Sequence, residues 1–114
     1  MLARQYTLKG KKNFERVQRE GRVFQSDSFG VSVLDRQDPE PSRFAFVVST
    51  KISKDATQRN RIKRAMGESV RYERTRVKPG LDIVFLAKAS STQKSTGDLM
   101  TEVREAITQA GLIQ

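Results

Sequence analysis

Between Asp55 and Arg74 the chain spaces Ile62, Ala65, Met66 and Val70 so that they gather on one stripe of a helix, while Asn60, Arg64 and Arg71 turn away from it. Strand-length segments flank this helix, at residues 43–50 and from Leu81 to Ala87. A helix with one apolar stripe must lay it on an apolar surface, and the flanking segments supply a sheet. Residues 43–87 are therefore predicted to form a strand-helix-strand unit, which restricts the chain to an α/β architecture. Asp55 or Thr57 supplies the N-cap. Gly67 in the helix interior costs roughly 1 kcal/mol relative to alanine, so packing has to hold the helix together.

The other elements arrange themselves around this unit. Residues 11–20, KKNFERVQRE, place Phe14 and Val17 on one face of a short helix, with Gly21 as its C-terminal cap. Residues 28–35 and 43–50 read as two strands joined by Asp35 to Ser42, where Pro39 and Pro41 prevent regular structure. They are predicted to pair as a hairpin with a long loop. Phe29, Val31 and Val33 share one face, as do Phe44, Phe46 and Val48. The opposite face offers Gly30, Ser32 and Leu34 with Arg43, Ala45, Val47 and Ser49. That small, partly polar face is either a shallow cleft able to admit an extended chain or an ordinary solvated sheet surface. Leu81 to Ala87 is predicted as a central strand, and Ser90 to Lys94 as a loop. Ser95 with Asp98 resembles a capping box, and Leu99, Met100, Val103, Ala106, Ile107 and Ala110 repeat at helical spacing up to Gly111. The expectation is one domain spanning residues 1–114, without internal repeats.

Cysteine and histidine are both absent. No disulfide framework, zinc site of the usual ligands, Cys or His nucleophile, or imidazole base is available. The longest purely apolar run, Ile83 to Ala87, is too short to span a membrane, and the segment Met1 to Tyr6 lacks the apolar core of a signal peptide. A cytoplasmic protein with no membrane partner is expected.

The positive charge is polarised. Residues 51–78 carry ten Lys or Arg against Asp55, Glu68 and Glu73, a net of +7, and residues 1–25 carry seven against Glu15 and Glu20, a net of +5. Residues 26–50 and 79–114 are slightly acidic. A merely solubilising surface intersperses both signs, so two basic blocks favour a polyanion footprint. The densest part is Arg59-Asn60-Arg61-Ile62-Lys63-Arg64, at the head of the amphipathic helix.

At these residues the chain resembles a known family. Arg43 to Arg71, RFAFVVSTKISKDATQRNRIKRAMGESVR, is similar to the signature region of the protein subunit of bacterial ribonuclease P. The match includes the run Arg59 to Arg64, the preceding Ser49 and Lys51, and the opening helix with Asn13-Phe14-Glu15-Arg16-Val17 and Glu20-Gly21. The resemblance implies an α-β sandwich with a central sheet of about four strands and three helices, akin to the second domain of ribosomal protein S5. Its strand-helix-strand crossover through the basic helix would be left-handed, the reverse of the general rule. It implies a protein that binds a large catalytic RNA and helps it remove the 5′ leader of precursor tRNA. The RNA carries catalysis with Mg2+, so no catalytic residue, no tightly held metal and no DNA partner are expected of the protein. The scattered carboxylates Asp27, Asp35, Asp38 and Asp55 form no two-metal nuclease motif.

Carried over residue by residue, the resemblance assigns contact with the catalytic RNA to Lys51, Arg59, Asn60, Arg61, Lys63, Arg64 and Arg71, through phosphate neutralisation and bidentate guanidinium contacts. It assigns the leader cleft to Phe14, Ser32, Val47, Ser49 and Lys51, where an aromatic ring stacks on a base and a lysine meets a phosphate. The alternatives are a solvated helix face for the cations and a core position for Phe14. This chain departs from the family in having Gln18, Gly30 and Ser32 in place of larger cleft residues, and Gly67 in place of arginine. The rival function is a ribosomal or other structural RNA-binding protein of related fold, without a leader cleft. A protein-only nuclease is disfavoured by the missing histidines.

Overall fold

The computed structural model describes residues 2–114. In chain order they form α1 (Lys11–Glu20), β1 (Arg22–Gln25), β2 (Phe29–Asp35), β3 (Arg43–Val47), α2 (Ala56–Glu73), β4 (Leu81–Ala87) and α3 (Thr96–Gln109). Short 3-10 turns occupy Arg4–Tyr6, Arg74–Arg76 and Ala89–Gln93. The four strands make one sheet in the order β1-β2-β4-β3, a mixed α/β fold of the expected composition.

The expected hairpin between β2 and β3 does not form, because β4 lies between them. It runs antiparallel to β2, with Ile83 opposite Val33, and parallel to β3, with Ile83 opposite Phe44. The first five residues of β4 are buried, and a strand hidden on both faces belongs inside a sheet rather than at its edge. The hairpin partner of β2 is instead β1, whose four residues, Arg-Val-Phe-Gln, carry too weak an alternation to stand out in the sequence. The strand-helix-strand unit stands, since α2 connects the parallel neighbours β3 and β4.

Phe29, Val31, Phe44, Ile83 and Phe85 project to one face and meet Ile62, Met66 and Val70 of α2 and Leu99, Val103 and Ile107 of α3. Phe85 is the hub of this core: Phe29 meets it edge-on at 5.5 Å and Phe46 stacks on it at 5.6 Å between centroids. Across the opposite face lies α1, whose Val17 packs with Leu8, Leu34 and Val84. Gly21 lets α1 end there. It takes the C-cap position with its N–H on the Val17 carbonyl, but at φ −78° rather than in the left-handed region. A Cβ on Gly21 would come within 2.5 Å of the Val17 carbonyl oxygen and 2.9 Å of the Val33 carbonyl oxygen, so its contribution is close approach to the last turn of α1 and to β2.

Both long helices begin as the sequence suggests. Asp55 Oδ1 accepts from the Thr57 N–H at 2.9 Å, and Ser95 Oγ accepts from the Asp98 N–H at 3.1 Å. Farther along α3, Glu102 ties the helix to the β1–β2 turn, accepting from the Ser26 hydroxyl at 2.5 Å and the Ser28 N–H at 2.7 Å. Burial pushes the Glu102 carboxyl up, yet the Ser26 and Ser28 hydrogen bonds outweigh it and leave the pKa below the ordinary value. A carboxyl with a depressed folded-state pKa contributes stability above its unfolded pKa and loses it as pH falls through the folded value. Stability should therefore decline more steeply on acidification in the wild type than in Glu102→Gln, as urea midpoints measured between pH 6 and pH 3 would register. Parallel declines in the two proteins would remove Glu102 from the acid response.

Candidate nucleic-acid interface

The loop between β3 and α2 is held by its own hydrogen bonds. The Ser49 carbonyl accepts from the Ile52 N–H at 3.0 Å, the Ser53 hydroxyl bonds Gln58 Oε1 at 2.7 Å, and Arg59 Nη1 donates to the Ser53 carbonyl at 2.8 Å. Arg59, expected purely as an RNA contact, thus also clamps this loop. Because the Asp55 carboxylate already caps the first turn of α2, its dipole is satisfied from within, and its contribution to an anion site comes from side chains.

Ile62, Ala65, Met66, Ser69 and Val70 are buried, which turns Asn60, Lys63 and Arg64 outward with Arg61 and Gly67 at the flanks. Lys51, Arg61, Lys63 and Arg64 form no ion pair among the described residues, and the Asn60 side chain makes no hydrogen bond there. Unpaired cations on a fixed scaffold present their full charge to a polyanion. Arg71 differs. It grips Glu68 with two hydrogen bonds, at 2.7 and 3.1 Å, lies 4.8 Å from the Tyr72 ring centroid, and holds the Glu68 carboxyl at about 2. Its guanidinium is already engaged within the fold.

A groove of about 830 Å³ follows the outer side of α2. Asn60, Arg61, Lys63 and Arg64 line it, with Phe46 and Thr7 toward the edge of the sheet and Thr96 and Met100 toward α3. Phe46 shares its face with the buried Phe44 and Val48, yet it is only half-buried, because β3 is an edge strand. The strand order, which sequence alternation does not encode, was the missing signal.

On the other face of the sheet, Phe14, Ala45, Val47 and Leu86 are partly buried around the Val17 cluster. Phe14 is thus both packed and accessible, and Ser49 and Lys51 stand exposed just beyond β3. Lys51 therefore lies in the loop that leads from this face to the cationic helix. Ser32, expected on the floor of an open cleft, is 2 % exposed and closed off from solvent. Gly30 is buried as well, with Gln25 3.4 Å from where its Cβ would stand. The accessible part of this face thus lies toward β3 and β4. Tyrosine at position 32 has no room, and Ser32→Tyr is expected to destabilise the fold by about 1–3 kcal/mol. A melting temperature equal to or above wild type would show that the site is open after all.

A family model described as Ribonuclease P matches residues 2–111. The ribonuclease P protein component of Symbiobacterium thermophilum is 34% identical over 99% of this chain and 97% of its own length. That of Synechocystis is 30% identical over 98% of this chain and 90% of its own. In three dimensions the Staphylococcus aureus RNase P protein superposes with a TM-score of 0.88 at 22% identity, covering 96% of this chain and 98% of that one.

Proposed function

The chain belongs to the ribonuclease P protein family, and from that membership we propose that it binds the catalytic RNA of the enzyme through α2 and the leader of precursor tRNA through the opposite sheet face. The observation that carries this reading is the set of unpaired cations, Arg61, Lys63 and Arg64, fixed on the groove side of a helix whose other side is buried. Their task is to neutralise RNA phosphates, with Asn60 between them able both to donate and to accept. Lys51 continues the basic surface toward Phe14, Val47 and Ser49, where an extended single strand stacks on the aromatic ring and meets the lysine with a phosphate. In this reading the RNA performs the cleavage with Mg2+, and the protein lowers the magnesium requirement by replacing part of the ionic screening. The setting is the cytoplasm, where precursor tRNA is made. No helix among the described residues is long and apolar enough to cross a membrane.

The test is reconstitution. Purified protein added to a bacterial ribonuclease P RNA, at magnesium too low for the RNA alone, is expected to restore precursor-tRNA cleavage and to tighten precursor relative to mature tRNA. No rescue at any protein concentration would favour a structural RNA binder, and cleavage without added RNA would place the chemistry in the protein.

A further inference from the structure

On the outer face of α2, position 67 carries no side chain. Gly67 follows Asn60 and Arg64 at i+7 and i+3, so the three lie close together around the helix. A Cβ at Gly67 would stand 3.8 Å from Phe46 Cε2, and among the described residues outside α2 it would meet nothing else within 4 Å, so none of them forces the glycine by crowding. What its missing side chain leaves is a notch in the groove with an aromatic ring at its floor. Phe46 is stacked on Phe85 at an interplanar angle of 22°, and the part of the ring left uncovered lines the groove. Around the notch stand Lys63 and Arg64, which form no ion pair among the described residues, Asn60, whose amide makes no hydrogen bond among them, and Glu68, whose carboxylate is held by Arg71. The groove's 830 Å³ falls within the usual range for ligand sites, about 300–1,000 Å³.

We propose that this notch receives one unstacked nucleobase of the catalytic RNA, which packs on Phe46 while Lys63 and Arg64 hold the phosphates beside it. The chemistry favours this occupant over a bare phosphate. Cations alone would accept any polyanion, but a half-exposed ring beneath a gap flanked by Lys63 and Arg64 suits a flat apolar heterocycle tethered to negative charge. Asn60 is the group able to bond the edge of such a base, since its amide donates and accepts. The proposal rests on the reading of α2 as the RNA-binding face. It adds a contact that depends on nucleotide structure to one that depends on charge.

The experiment uses the full chain and a bacterial ribonuclease P RNA. Gly67→Leu fills the notch without altering charge, and Phe46→Leu removes the ring while keeping an apolar floor. Each is expected to weaken RNA binding on the order of tenfold while leaving the salt dependence unchanged. Gly67→Arg separates two physical accounts: with charge alone it binds the RNA more tightly than wild type, whereas with a base in the notch it gains a cation and still binds less tightly. The chain has no tryptophan, so Phe46→Trp supplies a single reporter, whose fluorescence should be quenched by the RNA and spared when Gly67→Leu is added. Gly67→Ala, expected to stay folded and to melt higher by the propensity it gains, serves if the leucine variant fails to fold, with a smaller but measurable loss of affinity. Unchanged affinity for folded Gly67→Leu and Phe46→Leu, or tighter binding by Gly67→Arg, overturns the notch while leaving the RNA-binding face intact. Failure of the wild type itself to bind the RNA in a salt-dependent manner overturns the face.

Discussion

Asp82→Ala is expected to lower the unfolding free energy by about 3–5 kcal/mol, the range for removing one partner of a buried ion pair. The Asp82 side chain is 1 % exposed and lies in β4, between β2 and β3. Its Oδ1 accepts from Arg36 Nη1 and from Arg43 Nε at 2.8 Å, and its Oδ2 from Arg43 Nη2 at 2.8 Å. Without it Arg36, whose side chain is 8 % exposed, is left with one carboxylate fewer. Arg36 also donates to Asp38, whose carboxyl this contact holds below the ordinary range, and to the carbonyls of Leu81 and Pro41. The loss therefore reaches the whole loop from Arg36 to Ser42, although that loop has no regular structure to lose. Urea unfolding at neutral pH measures the effect. A loss under 1 kcal/mol would mean that water enters on truncation and that the triad contributes little beyond packing.

Asp82 also marks a boundary of what the sequence discloses. Leu81 to Ala87 reads as a strand because six of its seven residues are apolar. Nothing local says that the single carboxylate among them is the buried partner of Arg36 and Arg43. Those partners lie 46 and 39 residues away, and only the placement of β4 beside both β2 and β3 brings them together. The same placement separates the strands expected to pair. Alternation told which residues share a face, and the structure keeps those faces; it could not tell which strands are neighbours, because the inner strand arrives last in the chain. The helices were more legible, since their evidence is local: a stripe, a cap and a stop lie within each segment. For the site, the position of the cations followed from helical spacing, whereas the burial of Ser32 beneath its neighbours and the Arg71–Glu68 pair depended on tertiary contacts that no spacing reports. Arg59 lies between these cases. Its charge was evident, but its bond to the Ser53 carbonyl follows from how the chain turns after β3.

That distinction among the arginines shapes the second large expected effect. Replacing Arg61, Lys63 and Arg64 together by alanine should make the log-log salt dependence of binding to the catalytic RNA shallower by about 2 to 3, since each lost phosphate contact removes roughly 0.7–0.9 from the slope. Between 50 and 200 mM salt, affinity should then fall by roughly 20- to 40-fold less than in the wild type, from a value already much weaker at low salt. Because none of the three side chains makes a hydrogen bond or ion pair among the described residues, the melting temperature should hold nearly constant. Arg59→Ala is expected to behave differently, losing both affinity and stability, because the Ser53 carbonyl loses its donor. Arg104→Ala, on the exposed side of α3 beside Arg76, should change neither the slope nor the specificity. A triple variant that keeps the wild-type slope would mean that the phosphate backbone runs elsewhere, and the basic block at residues 1–25 would become the next place to look.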